Sequence, residues 1–492
     1  MNKTEKLKSE LLTFARLGSA LGLLGWDQEV NLPPKAAQYR GEVTSQLAAD
    51  LHKKVTSKKF IDSLKELKQP ENFQNLSKDD QVIVRQTWRD VEKASKLPTE
   101  FVEEMSKLTS QAFGVWAEAR QKSDFKIFQP ILEKIVAMNQ KEAEFLGFAK
   151  SPYDALLDQY EPGLTTEKIE HLFSPLTKSL RQLIQQAAQK KPASLPKMKY
   201  DIEVQKKLNN KIAAALGYDL QAGRIDVSPH PFTIDFHPSD VRITTRYDEH
   251  DFWVALGSTV HETGHALYQQ GLPANQFGTP LGEPVSLGIH ESQSRIWENF
   301  VGKSRPFVDF LYPQLEKSFG QLPYSADELH SWLNRVQPNP IRVESDEVTY
   351  NLHIALRFEM ERDLIEGNMK VADVPHIWNQ KMKEYLGLDI KDDANGCLQD
   401  IHWSHGTFGY FPTYTLGNLY AAQMYQKIKK DILNLEASFA KGDFSQFLNW
   451  LRREIHVHGR RYEPEALLEK ATGEPLNPNY LIDHLRTKVA LS

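Results

Sequence analysis

The sequence has almost no cysteine: Cys397 stands alone among 492 residues, so no internal disulfide can form. A single cysteine in so long a chain suits a reducing compartment, and its usual fate there is to be a small buried apolar residue. Long apolar runs are missing as well. No window approaches the roughly 18 unbroken apolar residues of a membrane span, and the first six residues mix both charge signs without leading into a signal-peptide core. Nor does one sign of charge dominate, since 60 Lys and Arg face 65 Asp and Glu for a formal net charge of -5. Nucleic acid or an anionic membrane is therefore a poor partner. With no fixed-period repeat and no low-complexity tract, the expectation is a soluble cytoplasmic protein with a large core.

What is present reads mostly as helix. Apolar residues recur at helical spacing over Glu5 to Leu24, Phe101 to Arg120, Ile131 to Phe148, Thr166 to Lys190 and Tyr350 to Leu364. Breakers such as Leu97-Pro98, Ser151-Pro152 and Glu161-Pro162-Gly163 fall between these runs, and residues 190 to 196 form the best connector. One region differs. Phe232 to Phe236 and Val241 to Tyr247 are rich in β-branched and aromatic residues around the turn chemistry of His237-Pro238-Ser239-Asp240, which predicts a hairpin.

Directly after the hairpin comes His261-Glu262-Thr263-Gly264-His265, the H-E-x-x-H pattern, inside an apolar-periodic run with Asp251 placed as N-cap and Gly271 as C-terminal glycine cap. Positions i and i+4 share a helix face, so both imidazoles can reach one cation. Glu262, rotated by about 100°, suits a general base acting on a water that the cation activates. A catalytic zinc site takes a third protein ligand and leaves a fourth position open. The best candidate is Glu291 on a following helix that runs on through Ile296, Trp297 and Phe300, with His290 as a rival. The competing reading of Glu291 is a solvated carboxylate paired with Arg295 at i+4.

These residues, with others along the chain, resemble the carboxypeptidase Taq family of H-E-x-x-H zinc metallocarboxypeptidases. The resemblance runs from Gly25-Trp26-Asp27-Gln28-Glu29 to Thr472-Gly473-Glu474-Pro475-Leu476-Asn477-Pro478. Its specific parts are the H-E-x-x-H run, His290-Glu291-Ser292 through Arg295, Asp240-Val241-Arg242-Ile243-Thr244, Ile341-Arg342 with Asp346, and Gly396 to Trp403. It implies one zinc per chain on His261, His265 and Glu291, with Glu262 as base and cobalt or manganese as substitutes. It further implies a mainly α, large helical peptidase fold with a deep active-site groove and one small β-sheet next to the zinc-binding helix. The chain would form a single catalytic unit of two lobes, a helical part about 1–195 and a zinc and substrate-binding part about 196–492. Homodimers, broad specificity and resistance of proline at the scissile position also follow from the resemblance.

Removing residues only from a C-terminus needs a cation for the free carboxylate, and arginine can hold one bidentately. Arg342 and Arg242 are the candidates, with Asp346 and Asp240 as ready partners if each is merely structural. Donors to an oxyanion are expected from residues 402 to 414, with Tyr410, Tyr414 and His405 preferred; that segment is similar to the His-and-Tyr loop of thimet-type oligopeptidases. His456 and His458 read as structural. The alternatives are an oligopeptidase with the same zinc chemistry, and a peptide-binding protein that has lost catalysis.

Overall fold

The computed structural model describes residues 2–189 and 192–491. Helices carry nearly all of its regular structure, and the strands among the described residues form one three-stranded sheet, so the protein is mainly α as expected. The chain folds as two compact units. One takes residues 1–95, 196–326 and 424–475, the other 96–195, 327–423 and 476–492. The expected connector begins on Lys190 and Lys191, outside the described residues; from 192 the backbone is irregular until Asp201 caps the next helix, Ile202–Leu216.

Expected helices are present, with ends moved by capping. Asn2 accepts from the Glu5 amide at 2.8 Å, which starts the first helix at Lys3 and lets it run to Val30. The run expected from Ile131 starts earlier, at Phe125, because Asp124 caps it and buried Phe125 and Phe128 compensate for the hydrogen bond lost at Pro130. Asp346 receives the Val348 and Thr349 amides and so starts the Glu347–Ile365 helix ahead of Tyr350.

In the first unit the expected hairpin is β2 (Thr233–His237) and β3 (Asp240–Thr245), preceded by β1 (Ile225–Val227). The two hairpin strands are antiparallel with Thr233 opposite Ile243, and a bulge lies between Asp235 and His237. β1 pairs parallel to β3, so β3 is central and buries Val241, Ile243, Thr244 and Thr245. At three residues β1 is too short for periodicity to reveal it. The first helix covers β2: the Ser19 hydroxyl donates to the Phe236 carbonyl at 2.6 Å, and Gly22 leaves room for the Phe236 ring.

In the second unit the Glu347–Ile365 helix is the centre of the core, buried nearly all round, so its face pattern is weak and polar Arg357 and Glu361 lie inside. Buried charges need partners. At the start of this helix Glu347 meets His484 at 2.6 Å and Lys488 at 3.3 Å, both on the last helix, Asn479–Leu491. The Lys488 ammonium also donates to Asn334 at 2.5 Å. Lys488→Met removes that charge while keeping the stem, and is expected to cost roughly 3–5 kcal/mol. Urea unfolding followed by tryptophan fluorescence measures it; an unchanged midpoint would show that the last helix docks by its apolar face alone.

Candidate metal centre

The H-E-x-x-H run lies on the Phe252–Gly271 helix, started by Asp251, whose carboxylate accepts from the Trp253 amide at 2.9 Å. The other end corrects an expectation. Gly271 is the last helical residue and Leu272, in extended conformation, is the cap, so glycine is not used there for a left-handed turn. It is used for proximity, because a Cβ at 271 would lie 2.3 Å from His456 Nδ1. His456 is buried with Nε2 3.0 Å from Gln293 Oε1, a packing position in keeping with its structural reading, while half-buried His458 meets the Tyr462 ring edge-on. Cys397 is buried and free.

Glu291 comes from the Leu287–Arg295 helix, which Ser286 caps through the Ile289 amide at 3.1 Å. The two helices touch at Gly264, where a Cβ would stand 2.5 Å from the Gln293 carbonyl oxygen and 2.7 Å from Ser294 Cα. This approach lets a short carboxylate reach both imidazoles: Glu291 Oε2 is 3.9 Å from His261 Nε2 and 3.4 Å from His265 Nε2. One donor atom from each of the three lies within 4.8 Å of the others. Bonds of about 2.0–2.1 Å at tetrahedral angles put neighbouring ligand atoms about 3.4 Å apart, so two imidazole nitrogens and one carboxylate oxygen fit a zinc-like cation with one position left over.

The opposite ring nitrogens are already engaged. His261 Nδ1 meets Glu298 Oε2 at 2.8 Å, and His265 Nδ1 meets His290 Nδ1 at 2.6 Å, so His290 stands behind a ligand position. Glu298 sits on the π-helical turn Ile296–Gly302 that continues the Glu291 helix. The Arg295 pairing expected of Glu291 is present, without the solvation. Arg295 Nε donates to its Oε1 at 2.6 Å while Oε2 faces the histidines, and the residue is buried rather than solvated. Burial opposes ionisation of Glu291, but Arg295 and the two imidazoles outweigh it and hold the carboxyl well below its usual range. Glu298 is likewise held low against burial by Lys303, Arg295 and His261. Beside the histidines, the Thr233 hydroxyl on β2 lies 2.6 Å from Glu262 Oε2 and 3.0 Å from the Glu262 carbonyl oxygen.

Arg242, also in the first unit, forms a bidentate pair with Asp240 at 2.8 and 2.9 Å, and its guanidinium lies over Trp26 at 4.5 Å. In the second unit Arg342 is buried. Its partner is Asp400, at 2.8 Å from Nη2, rather than Asp346, which is spent on capping. Arg357 holds the other Asp400 oxygen, with Nε at 2.7 Å, and Arg342 Nη1 donates to the Tyr350 hydroxyl at 3.0 Å. Tyr410 and Tyr414 pack together with ring centres 5.3 Å apart, and the Arg342 guanidinium lies 5.0 Å over Tyr414. The histidine brought to these phenols is His402, with Nε2 3.3 Å from the Tyr414 hydroxyl; His405 is exposed against Phe113. Burial, aided by Arg342 and Arg357, pulls His402 down to about 3, so its ring is neutral. The segment is anchored by Glu361, which accepts from Tyr153 at 2.6 Å, Trp403 at 2.9 Å and the Gly409 amide at 2.9 Å. Burial lifts the Glu361 carboxyl to about 7.

The sequence model of the family described as carboxypeptidase Taq (M32) metallopeptidase matches residues 6–489. The chain belongs to the M32 carboxypeptidase Taq family. Thermostable carboxypeptidase 1 of Pyrococcus furiosus is 41% identical over 495 residues, covering 99% of each chain. Carboxypeptidase 1 of Bacillus subtilis is 39% identical over 97% of this chain and 96% of its own. The crystal structure of the M32 carboxypeptidase from Deinococcus radiodurans superposes with a TM-score of 0.97 at 36% identity, over 100% of this chain and 99% of that one. The protein is thus a metallocarboxypeptidase of the M32 family.

In this M32 carboxypeptidase, sequence reasoning missed Thr233, Glu298 and Glu361. A carboxylate seven residues after Glu291 was the available signal for Glu298; for the other two only the fold makes the neighbour. Gly264→Ala is expected to separate the two helices that carry the candidate ligands and lower metal affinity about tenfold or more, within the range for disturbed ligand support. Competition with a chromophoric chelator checks this, and affinity equal to the unaltered enzyme would mean that the helices part without moving Glu291.

Proposed function

We propose that this M32 carboxypeptidase removes C-terminal residues from peptides with zinc held by His261, His265 and Glu291 and with Glu262 as general base. The observation supporting it is the convergence of those three donors within 4.8 Å beside a Glu262 carboxylate that Thr233 orients. An all-imidazole-and-carboxylate donor set suits zinc, and cobalt or manganese also accept it. Bound there, zinc would lower the pKa of a water and polarise the scissile carbonyl. Glu262 would take the proton from the attacking water and deliver it to the leaving amine. With Thr233 on Oε2, Oε1 is the oxygen left for that proton.

The remaining roles are assigned by the chemistry of the groups. Tyr410 and Tyr414 supply phenol donors for a developing oxyanion, and neutral His402 adds an imidazole to them, His405 being the second histidine to test. Arg342 and Arg242 are the candidates for the substrate carboxylate. Each already holds an aspartate, so a substrate carboxylate must share its guanidinium. Broad side-chain tolerance, a homodimer and a cytoplasmic location complete the reading; the buried free thiol of Cys397 agrees with a reducing compartment.

Two measurements test it. An unblocked peptide incubated with zinc-loaded protein should give a ladder of single-residue losses by mass spectrometry, abolished by chelation, while its C-terminally amidated twin stays intact. Internal fragments from both peptides would instead make the enzyme an oligopeptidase. Glu262→Gln should keep its zinc and lose about 10²–10⁴-fold in kcat, since an amide cannot accept the proton; near-normal kcat with zinc bound would remove Glu262 from the role of base.

A further inference from the structure

His261 and His265 look equivalent in the sequence but are supported differently. The Nδ1 of His261 faces a carboxylate, Glu298, which can only accept, so that nitrogen carries the hydrogen. The Nδ1 of His265 faces another imidazole, His290 Nδ1, at 2.6 Å, and an imidazole nitrogen either donates or accepts. The far nitrogen of His290, Nε2, lies 2.9 Å from the side-chain amide of Gln269, a buried residue one turn beyond His265 on the same helix. What ends this chain therefore decides the tautomer of His265.

An amide ends a chain in two ways, because a half-turn exchanges its oxygen and nitrogen. With the nitrogen towards His290, as in the structure, Gln269 donates to His290 Nε2 and His290 Nδ1–H donates to His265 Nδ1. A neutral His265 then carries its hydrogen on Nε2, the atom that faces Glu291 at 3.4 Å, and offers no lone pair there. With the oxygen towards His290 every bond reverses, and His265 Nε2 is a free donor atom.

We infer that His290 and Gln269 are positioning residues whose hydrogen-bond chain must run outward from His265, ending on the Gln269 carbonyl oxygen, for His265 to bind metal. This rests on the ligand set proposed above. Passing between the two orders, one proton leaves His265 Nε2, one crosses from His290 Nδ1 to His265 Nδ1, and one arrives at His290 Nε2. The two rings hold the same number of protons before and after. Gln269 borders a cavity of about 200 Å³, shared with Ser19, Asp235 and Glu283.

The test uses the full-length protein and reads zinc affinity by chelator competition and the visible spectrum of the cobalt-loaded form. Gln269→Glu ends the chain in a group that accepts, and should bind zinc at least as tightly as the unaltered enzyme. Gln269→Leu and His290→Phe remove the end or the middle, and should lose about 10–100-fold in affinity and change the cobalt spectrum. A purely packing role would lower the unfolding midpoints of the metal-free variants without separating Glu from Leu at 269. The inference is overturned if Leu and Glu at 269 behave alike, or if both disruptive variants keep normal affinity. Should His290→Phe not fold, the pair at 269 decides alone. His265→Ala is the control: retention of normal affinity there would overturn the ligand set, and the chain with it.

Discussion

The convergence of His261, His265 and Glu291 depends on one contact, the backbone of Gln293 and Ser294 lying against Gly264 where any side chain would begin. The reach of glutamate is short and fixed, so the carboxylate of Glu291 arrives at two imidazoles only if the two helices are this close. The same helix is approached again one to two turns later, where Gly271 admits the His456 ring. His456 in turn binds Gln293, the residue at the first contact, so the two close approaches are tied by a 3.0 Å hydrogen bond. A core packed this tightly has discrete arrangements rather than a continuous range, which is how a site made of three side chains keeps its spacing.

That arrangement explains what was legible in the sequence. His261, Glu262 and His265 are read from the H-E-x-x-H spacing and the helical run around it, because their relation is local. Glu291 is readable as soon as a second helix is recognised, since its neighbours Arg295 and Ile296 give the pattern. Glu298 escapes, because a π-helical turn intervenes and the face a residue shows cannot be counted off at 3.6 residues per turn. Thr233 escapes for another reason: its role is set by hairpin register and by how the sheet meets the helix, both long-range facts. The choice between His402 and His405 turns on one short 3-10 stretch, 402–405, whose residues differ in facing although they are adjacent. The mainly helical class follows from apolar spacing, whereas β1, three residues long, has no period to show.

Charge placement in the first unit points the same way as the spacing. Glu262, Glu291 and Glu298 gather around the histidines, and the cations among them are Arg295 and Lys303. With all five ionised the group carries one excess negative charge, in a setting where burial makes uncompensated charge expensive. A bound cation relieves that excess. Arg295 bridges Glu291 and Glu298 and favours the ionised form of both: on Glu291 it takes Oε1 and leaves Oε2 to face the imidazoles, and on Glu298 it shares Oε2 with His261.

The second unit carries the opposite imbalance. Two buried guanidiniums, Arg342 and Arg357, share the single carboxylate of Asp400, which they hold far below its usual range against the cost of burial. His402 beside them is kept neutral, so it adds no charge, and Arg342 rests on the Tyr414 ring. Near and above pH 7 Glu361 begins to offset this positive excess, since its carboxyl is lifted to about 7 and it lies close to Arg357. Below that pH the excess is fuller. An anion beside Arg342 would therefore meet less opposition than a cation. The local charge excess is thus opposite in sign in the two units, negative around the histidines of the first and positive around Asp400 in the second.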